Sequence, residues 1–176
     1  LFDVGILNKN SIDSYFGTSS GAILCTLLAI GFEPIEILAY ICTNKSYAKI
    51  QPDIVGCFTN ITNNGGLLNF DIIEREINDM IVYKLGFIPT LNCIRERLGK
   101  YLVFITYNLS SGIKECLSYE TYPALPVTRA IRMSSTFPFV FAPYEYENNY
   151  YLDGGLVENF PMFTAQQHSS KCFGLY

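Results

Sequence analysis

Charged residues are scarce in this sequence. Only 16% of its 176 residues are Asp, Glu, Lys or Arg, against roughly 25% in a typical globular domain. The 12 basic and 16 acidic residues leave a net charge of −4, which excludes a nucleic-acid binder that works through a broad basic field. Because 49% of the residues are hydrophobic, intrinsic disorder is excluded as well. The length and composition indicate one compact, apolar domain.

Metal ligands and long apolar runs are also lacking. The chain has one histidine and six cysteines, with no C-x-x-C pair and with successive cysteines spaced 15 to 56 positions apart. Neither a structural zinc site nor a bound cofactor is therefore expected. We interpret the cysteines as small, mostly buried apolar residues of a reducing compartment, which predicts a cytoplasmic protein. The best apolar run, Ala22 to Ile30, has nine residues, whereas a helix that spans a membrane needs about 18.

Strands and helices are predicted to alternate along the chain. The uncharged run from Tyr101 to Tyr107 is typical of a strand covered on both faces. The clearest helices are Ser20 to Ile30, which ends before Gly31, and Phe70 to Leu85, which is amphipathic. The other predicted strands are Ile12–Phe16, Gly112–Tyr119, Tyr150–Leu152 and Cys172–Tyr176. The other predicted helices are a helix end at Leu1–Leu7, a helix from Pro34 with Ile35, Ile37, Leu38 and Ile41 on its apolar face, and helices over Thr90–Leu98 and Val127–Ser134. The stretch Tyr47–Leu68 is predicted to be irregular. This alternation favours an α/β fold with a largely parallel sheet.

A Gly-x-Ser-x-Gly sequence lies between a predicted strand and a predicted helix. It consists of Gly17, Thr18, Ser19, Ser20 and Gly21. In such a turn the serine hydroxyl stands clear of the sheet on a strained backbone, so small residues are needed two positions away on either side. The N-terminus of the following helix favours developing negative charge. This context favours Ser19 as a nucleophile, and the alternative is a serine that only caps the helix.

A serine nucleophile needs a group that accepts its proton, and the chain offers two candidates. Asp153 ends a predicted strand and is followed by Gly154 and Gly155, which places a carboxylate where α/β folds collect their sites. The alternative for this dipeptide is a simple Asp-Gly turn. His168 is the single histidine and lies in a polar Gln-Gln-His-Ser-Ser segment, so it is either a base or a solvated surface residue.

Three segments together resemble the patatin-like phospholipases. Residues 17–22, Gly-Thr-Ser-Ser-Gly-Ala, are similar to that family's nucleophile elbow. Residues 132–143 resemble its Ser-rich, Pro-containing segment, and residues 151–161 resemble its Asp-Gly-Gly motif with the Asn-x-Pro that follows. The resemblance covers nearly the whole chain. The elbow serine and the motif aspartate come in the family's order, 153 − 19 = 134 residues apart.

The resemblance implies a single patatin-like domain over residues 1–176, with a three-layer α/β/α fold and a mostly parallel central sheet. It implies an enzyme, a carboxylic ester hydrolase that degrades phospholipids or other acyl-ester lipids through a Ser-Asp dyad and an acyl-enzyme. In that reaction Ser19 is the nucleophile and Asp153 is its base. The other residues that match the family's motifs are Gly17, Thr18, Ser20 and Gly21 in the elbow and Gly154 and Gly155 after the aspartate.

The sequence departs from the family upstream of the elbow. Patatin-like proteins carry a Gly-rich segment there whose backbone N–H groups form the oxyanion hole, but residues 1–16 contain a single glycine, Gly5. Because Leu1 is not Met and Leu1–Leu7 matches the helix expected after that loop, we expect the first strand and the loop to lie upstream of Leu1. Two alternatives stay open: a catalytically silent lipid-binding or regulatory domain, and an α/β-hydrolase with a Ser19–Asp153–His168 triad.

The expected partner is an acyl-ester lipid rather than a nucleic acid. High aromatic and low charged content suits a protein that meets lipid at an interface. A net charge of −4 gives no general attraction to anionic lipid surfaces, so peripheral membrane contact would need a local apolar surface. The aromatic residues that would line an acyl pocket, or else pack in the core, are Phe137, Phe139, Phe141, Tyr144 and Tyr146.

Overall fold

The computed structural model of the protein describes residues 11–43, 66–169 and 171–174. Within these ranges the strands are β1 (Ser14–Thr18), β2 (Gly66–Leu68), β3 (Tyr101–Asn108), β4 (Ile113–Leu117), β5 (Phe139–Phe141), β6 (Tyr144–Tyr146) and β7 (Asn149–Asp153). The helices are α1 (Ser20–Ala29), α2 (Pro34–Thr43), α3 (Asp71–Leu85), α4 (Leu91–Leu98), α5 (Val127–Ser135), α6 (Gly155–Glu158) and α7 (Met162–His168). The predicted helix end at Leu1–Leu7 lies outside the described residues.

Strand β3 is the centre of a five-stranded sheet. β1 pairs with it in parallel and ends with Thr18 beside Ile105. β7 pairs with it antiparallel and ends with Asp153 beside Thr106, and β6 continues the sheet beyond β7. β4 lies antiparallel opposite both Ile105 and Thr106. Since a strand has two edges, β1 and β7 share the edge of β3 that β4 leaves open, and their C-terminal ends meet there.

This sheet is mixed rather than mostly parallel, which corrects the prediction. Among the described strands of the sheet one pairing is parallel and three are antiparallel. A parallel pair needs a crossover of a dozen or more residues, but β3 and β4 are joined by residues 109–112 and β6 and β7 by two residues. Those two, Glu147 and Asn148, both have positive φ, 48° and 61°, as in a tight hairpin turn.

Helices cover both faces of the sheet. Alternate residues of a strand point to opposite faces, and Tyr15, Leu102 and Phe104 belong to the main core together with residues of α1, α3, α4 and α5. On the other face, the rings of Phe16 and Tyr101 lie 5.2 and 5.7 Å from the ring of His168 in α7. The α/β architecture with helices flanking a central sheet is therefore confirmed.

Most of the predicted elements occur, with ends shifted by one or two residues. The predicted start of α4 is confirmed in detail, because the Thr90 hydroxyl accepts the N–H of Cys93 at 3.1 Å and so caps the helix. β5, β6, α6 and α7 were not predicted. β5, β6 and α6 have three or four residues and α7 has seven, too few for a clear periodic pattern.

Three local predictions are wrong. Residues 66–68, at the end of the stretch predicted to be irregular, form β2, which pairs in parallel with β5; the rest of that stretch, from Tyr47, lies outside the described residues. Residues 172–174 form no strand, and the last two residues of that prediction are not described. The apolar face of α2 is buried only at Ile37, while the other three positions are exposed: Ile35, Leu38 and Ile41.

The five cysteines in the described residues are all free thiols, and Cys57 lies outside them. Burial raises the pKa of the Cys25 thiol to about 12, as expected for an inert apolar residue. Cys42 is exposed and the other four are half-buried, so the expectation of mostly buried cysteines is wrong for the described residues. In the described part of the chain no helix combines the length and the apolar character that crossing a bilayer requires.

Candidate active site

The meeting point of β1 and β7 brings Ser19 and Asp153 together. Ser19 directly follows the last residue of β1, which lies beside Ile105. Asp153 is the last residue of β7 and lies beside Thr106. Neighbouring positions on β3 therefore place the two side chains at one point on the sheet edge, although 134 residues separate them in sequence (153 − 19).

The Ser19 backbone has φ 56° and ψ −125°, a conformation that a residue with a side chain rarely adopts. Such strain persists where the surrounding structure imposes it and is concentrated at functional sites. Here the chain passes directly from β1 into α1, and the Ser19 carbonyl accepts the N–H of Ala22 at 2.9 Å. No side-chain cap bond is formed by Ser19. The capping alternative therefore lacks its hydrogen bond, and the strand–turn–helix of a nucleophile elbow is present.

Only one of the two motif glycines is required by close packing. A Cβ on Gly17 would lie 2.7 Å from backbone atoms of Gly21 and Ala22, so the turn admits no side chain there. A Cβ on Gly21 would meet nothing within 4 Å among the described residues. The expectation of a steric need on both sides of Ser19 is thus wrong for Gly21, because that side of the turn faces an open cavity.

Asp153 is 1% exposed and carries a partly unpaired carboxylate. Its Oδ1 accepts the N–H of Gly155 at 2.7 Å, while its Oδ2 has no hydrogen-bond partner among the described residues. Burial raises the pKa of Asp153, and interactions with the Ser19 hydroxyl and the Gly155 N–H offset part of that rise. The Ser19 hydroxyl therefore lies near the carboxyl without the geometry of a full hydrogen bond to Oδ2.

The two glycines after Asp153 allow the chain to turn against β3. A Cβ on Gly154 would lie 2.1 Å from the Ile105 carbonyl oxygen. A Cβ on Gly155 would lie 2.9 Å from Asp153 Oδ1, where it would crowd the atom that accepts the Gly155 N–H. Gly154 therefore needs to be glycine because its backbone closely approaches that of β3, which is more than a turn signal requires, whereas the crowding at Gly155 involves side-chain oxygens only.

A cavity of about 600 Å³ opens beside the two side chains. Its polar lining includes Ser19, Ser20, Asp153 and Asn159, and its aromatic lining consists of Phe137 and Phe160. Of the aromatic residues considered for an acyl pocket, Phe137 is the one that lines this cavity. Tyr144 is buried in the core, and Phe139 is 78% exposed.

His168 lies away from this cavity. Its ring packs beside Tyr101 at the start of β3, four residues before Ile105, which corresponds to about 13 Å along a strand. Its Nδ1 is 3.0 Å from the carbonyl oxygen of Thr164, and the residue is exposed. The hypothesis of a Ser19–Asp153–His168 triad is therefore wrong, and the interpretation of His168 as a surface residue is correct.

Helix α6 is held against the elbow by polar contacts. The Thr18 hydroxyl donates to the Glu158 carbonyl oxygen at 2.8 Å. The Glu158 carboxylate accepts from Lys114 Nζ at 2.8 Å and from the Thr164 hydroxyl at 2.6 Å. Burial alone would raise the pKa of Glu158, but the bonds from Lys114 and Thr164 outweigh it and lower that pKa.

Ser134 is the residue of this site that sequence reasoning missed. It lies within the Ser-rich segment noted above, but no feature of the sequence assigned it a role. Its hydroxyl accepts the N–H of Ser19 at 3.0 Å and donates to the Ile105 carbonyl at 2.6 Å. The signal that could have identified Ser134 is weak: it is a serine near the end of an amphipathic helix, on the face that this helix buries.

A family model described as patatin-like phospholipase matches residues 7–165, most of the chain. The chain belongs to the patatin-like phospholipase family.

Relatives of this patatin-like chain include two viral proteins. It is 31% identical over 172 residues to the probable lipid hydrolase 463L of Invertebrate iridescent virus 6, covering 92% of this chain and 56% of that protein. It is 29% identical over 175 residues to the uncharacterized protein R571 of Acanthamoeba polyphaga mimivirus, covering 99% of this chain and 57% of that protein. The chain thus spans little more than half the length of these curated relatives.

Among solved structures, the patatin-like chain is similar to VipD from Legionella pneumophila. The TM-score is 0.53 at 17% sequence identity, with 85% of this chain and 41% of that chain covered. At this identity the likeness indicates a shared fold.

The described residues of this patatin-like chain supply few candidates for an oxyanion hole. The Ser19 N–H is bound to Ser134, so it does not point freely into the cavity. Ser20 lines the cavity and is the first residue of α1, and an N–H in that position has no acceptor within its own helix. Residues 11–16, described upstream of Gly17, include no glycine.

No group of three or more metal-ligating side chains occurs in the described part of the chain.

Proposed function

We propose that this chain is a lipid acyl hydrolase that cleaves carboxylic esters of phospholipids or other lipids through a Ser19–Asp153 dyad. Ser19 Oγ attacks the ester carbonyl carbon as its proton passes to Asp153, and the alcohol leaves with that proton. The resulting acyl-enzyme is cleaved by water, whose proton passes to Asp153 and then to Ser19 Oγ as the fatty acid departs. The observation that supports this reaction best is a strained serine beside a buried carboxylate, one oxygen of which has no hydrogen-bond partner among the described residues.

The surroundings of Asp153 suit a general base. A carboxylate in water is a weak base for a serine hydroxyl, but burial raises the pKa of Asp153 and so brings it closer to that of the group it must deprotonate. The N-terminus of α1 and the Ser20 N–H favour negative charge on the carbonyl oxygen in the transition state. Loss of one such donor typically costs about 10²- to 10³-fold in rate.

The cavity lining favours a lipid as the substrate. The Phe137 and Phe160 rings offer an apolar wall beside the Ser19 hydroxyl, which suits an acyl chain better than a charged substrate. Four exposed apolar side chains lie within a few sequence positions of residues that line the cavity: Phe139, Leu156, Val157 and Phe163. We propose that they make the peripheral contact with a lipid surface, and that the protein works in the cytoplasm.

The test is hydrolysis of a short-chain ester by the wild-type chain and by Ser19→Ala and Asp153→Asn variants. Both variants are expected to lose activity to background. Ser135→Ala is the control for the serine, because the Ser135 hydroxyl is buried without a hydrogen-bond partner in the described residues. Asp79→Asn, at an exposed position of α3, is the control for the aspartate. Retained activity in either dyad variant, or equal loss in its control, would refute the mechanism.

A catalytically silent lipid-binding domain is the second candidate. It is favoured by the small number of candidate oxyanion donors in the described residues, the Ser20 and Gly21 N–H groups at the start of α1. A fluorophosphonate probe discriminates between the two functions, since it labels a serine only when that serine is activated. Labelling of Ser19 would support the hydrolase, whereas a folded protein that stays unlabelled but binds lipid vesicles would support the silent domain.

A further inference from the structure

Ser134 lies between the elbow and the central strand with no exposed surface. Its hydroxyl oxygen accepts the Ser19 N–H at 3.0 Å. The same hydroxyl donates its own proton to the carbonyl oxygen of Ile105 at 2.6 Å. One side chain therefore connects the strained serine to β3, at the position where β1 ends.

Ser134 also contacts the other half of the site through its backbone. Its carbonyl oxygen accepts the N–H of Gly154 at 3.2 Å. Two residues further on, the carbonyl of Thr136 accepts the N–H of Asp153 at 2.8 Å. The end of α5 thus holds both the Asp153–Gly154 turn and the elbow, and it joins the two at their shared neighbour on β3.

We propose that Ser134 is a positioning residue that fixes the Ser19 backbone at a set separation from Asp153. This inference rests on the proposed function of the dyad. A backbone at φ 56° and ψ −125° relaxes unless its surroundings hold it, and the Ser134 hydroxyl is the side-chain acceptor that holds its N–H. The same bond keeps that N–H out of the oxyanion hole. Stabilisation of the oxyanion is therefore left to N–H groups of later residues in the turn.

Ser134→Ala is expected to lower kcat about ten- to a hundredfold, the effect of a buried N–H that loses its acceptor. KM is expected to stay within about twofold because Ser134 does not line the cavity. Ser134→Cys keeps a weak acceptor of similar shape and is expected to fall between the wild type and Ser134→Ala. Ser135→Ala removes the neighbouring hydroxyl, which has no partner in the described residues, and is expected to leave kcat unchanged.

The split between kcat and KM separates positioning from general damage. If Ser134 acts by aligning Ser19 with Asp153, Ser134→Ala should lower kcat and the rate of fluorophosphonate labelling of Ser19 by similar factors while KM is kept. Equal losses from Ser134→Ala and Ser135→Ala would overturn the proposal, and so would a rise in KM with kcat unchanged.

Hydrogen exchange of the Ser19 amide gives a measurement that does not depend on activity. Wild-type and Ser135→Ala proteins should protect this amide, and Ser134→Ala and Ser134→Cys should exchange it at least about tenfold faster. Unchanged protection in the Ser134 variants would overturn the proposal even if activity falls. A wild-type chain that is inactive and unlabelled would refute the proposed function, while the exchange rate would still decide whether Ser134 holds the elbow.

Discussion

Alanine substitution at the two elbow glycines is predicted to change stability in opposite directions. At Gly17 the new Cβ would lie 2.7 Å from three atoms, the backbone nitrogen of Ala22 and the carbonyl carbon and oxygen of Gly21. All three belong to the backbone of the turn and of α1, so none can rotate away as the end of a side chain can. Overpacking of this kind typically costs about 1–3 kcal/mol. In a chain of 176 residues each kcal/mol lowers Tm by roughly 2–4 °C.

At Gly21 the same change meets no atom within 4 Å among the described residues. Gly21 lies in the first turn of α1, where alanine is the better helix former, so a gain of up to about 1 kcal/mol is expected. Urea denaturation of the wild type, Gly17→Ala and Gly21→Ala measures both effects in one assay. Equal destabilisation by the two substitutions would refute the reasoning, and so would a neutral Gly17→Ala.

Three further predictions concern pH and the histidine. Because burial raises the pKa of Asp153 and the base must be ionised, the acid limb of kcat/KM should lie above the ordinary carboxyl pKa of 3.8; a pH–rate profile with its midpoint at or below 3.8 would contradict this. The pKa of Glu158 is lowered in the folded chain, chiefly by Lys114, so its stabilisation is present above its ordinary pKa of 4.5 and is lost as the pH falls below it. Glu158→Gln should therefore make the free energy of unfolding fall less on acidification than it does in the wild type. If the substitution changed the free energy of unfolding by the same amount at every pH, this prediction would be wrong. His168→Ala should leave kcat/KM within about twofold of wild type in ester hydrolysis, whereas loss of activity would restore the triad hypothesis.

The elbow was predictable because its requirements are local. Gly17 faces backbone atoms four and five residues away, and the strand, the serine and the helix follow one another without interruption. Thr90 was predictable as a cap for the same reason, since its acceptor role concerns an N–H three residues later. In each case the physical constraint acts within about one helical turn, so it leaves a pattern in consecutive residues.

The errors arose where an unusual turn or contacts outside the local sequence pattern decide the outcome. Pro34 and the spacing of Ile35, Leu38 and Ile41 favoured a packed face on α2, yet these side chains are exposed in the structure. The hairpin of β6 and β7 carried no strong turn signal, because Glu147 adopts a positive φ that favours glycine or asparagine. Alternation with helices favoured a largely parallel sheet, whereas three of the four described pairings in the five-stranded sheet are antiparallel, and two of these join strands through connections of four and two residues.

The amino-acid sequence alone determined the family, through motifs in a fixed order, and the turn that strains Ser19, because that turn depends on residue types a few positions apart. Only the tertiary structure decided that Ser19 and Asp153 lie at the same edge of β3, that Ser134 contacts both segments, and that His168 packs at the far end of the strands. The pairing of β7 with β3 brings together residues separated by more than a hundred positions (153 − 19 = 134). The burial that raises the pKa of Asp153 exists only after this pairing, because desolvation depends on every element packed around the carboxylate.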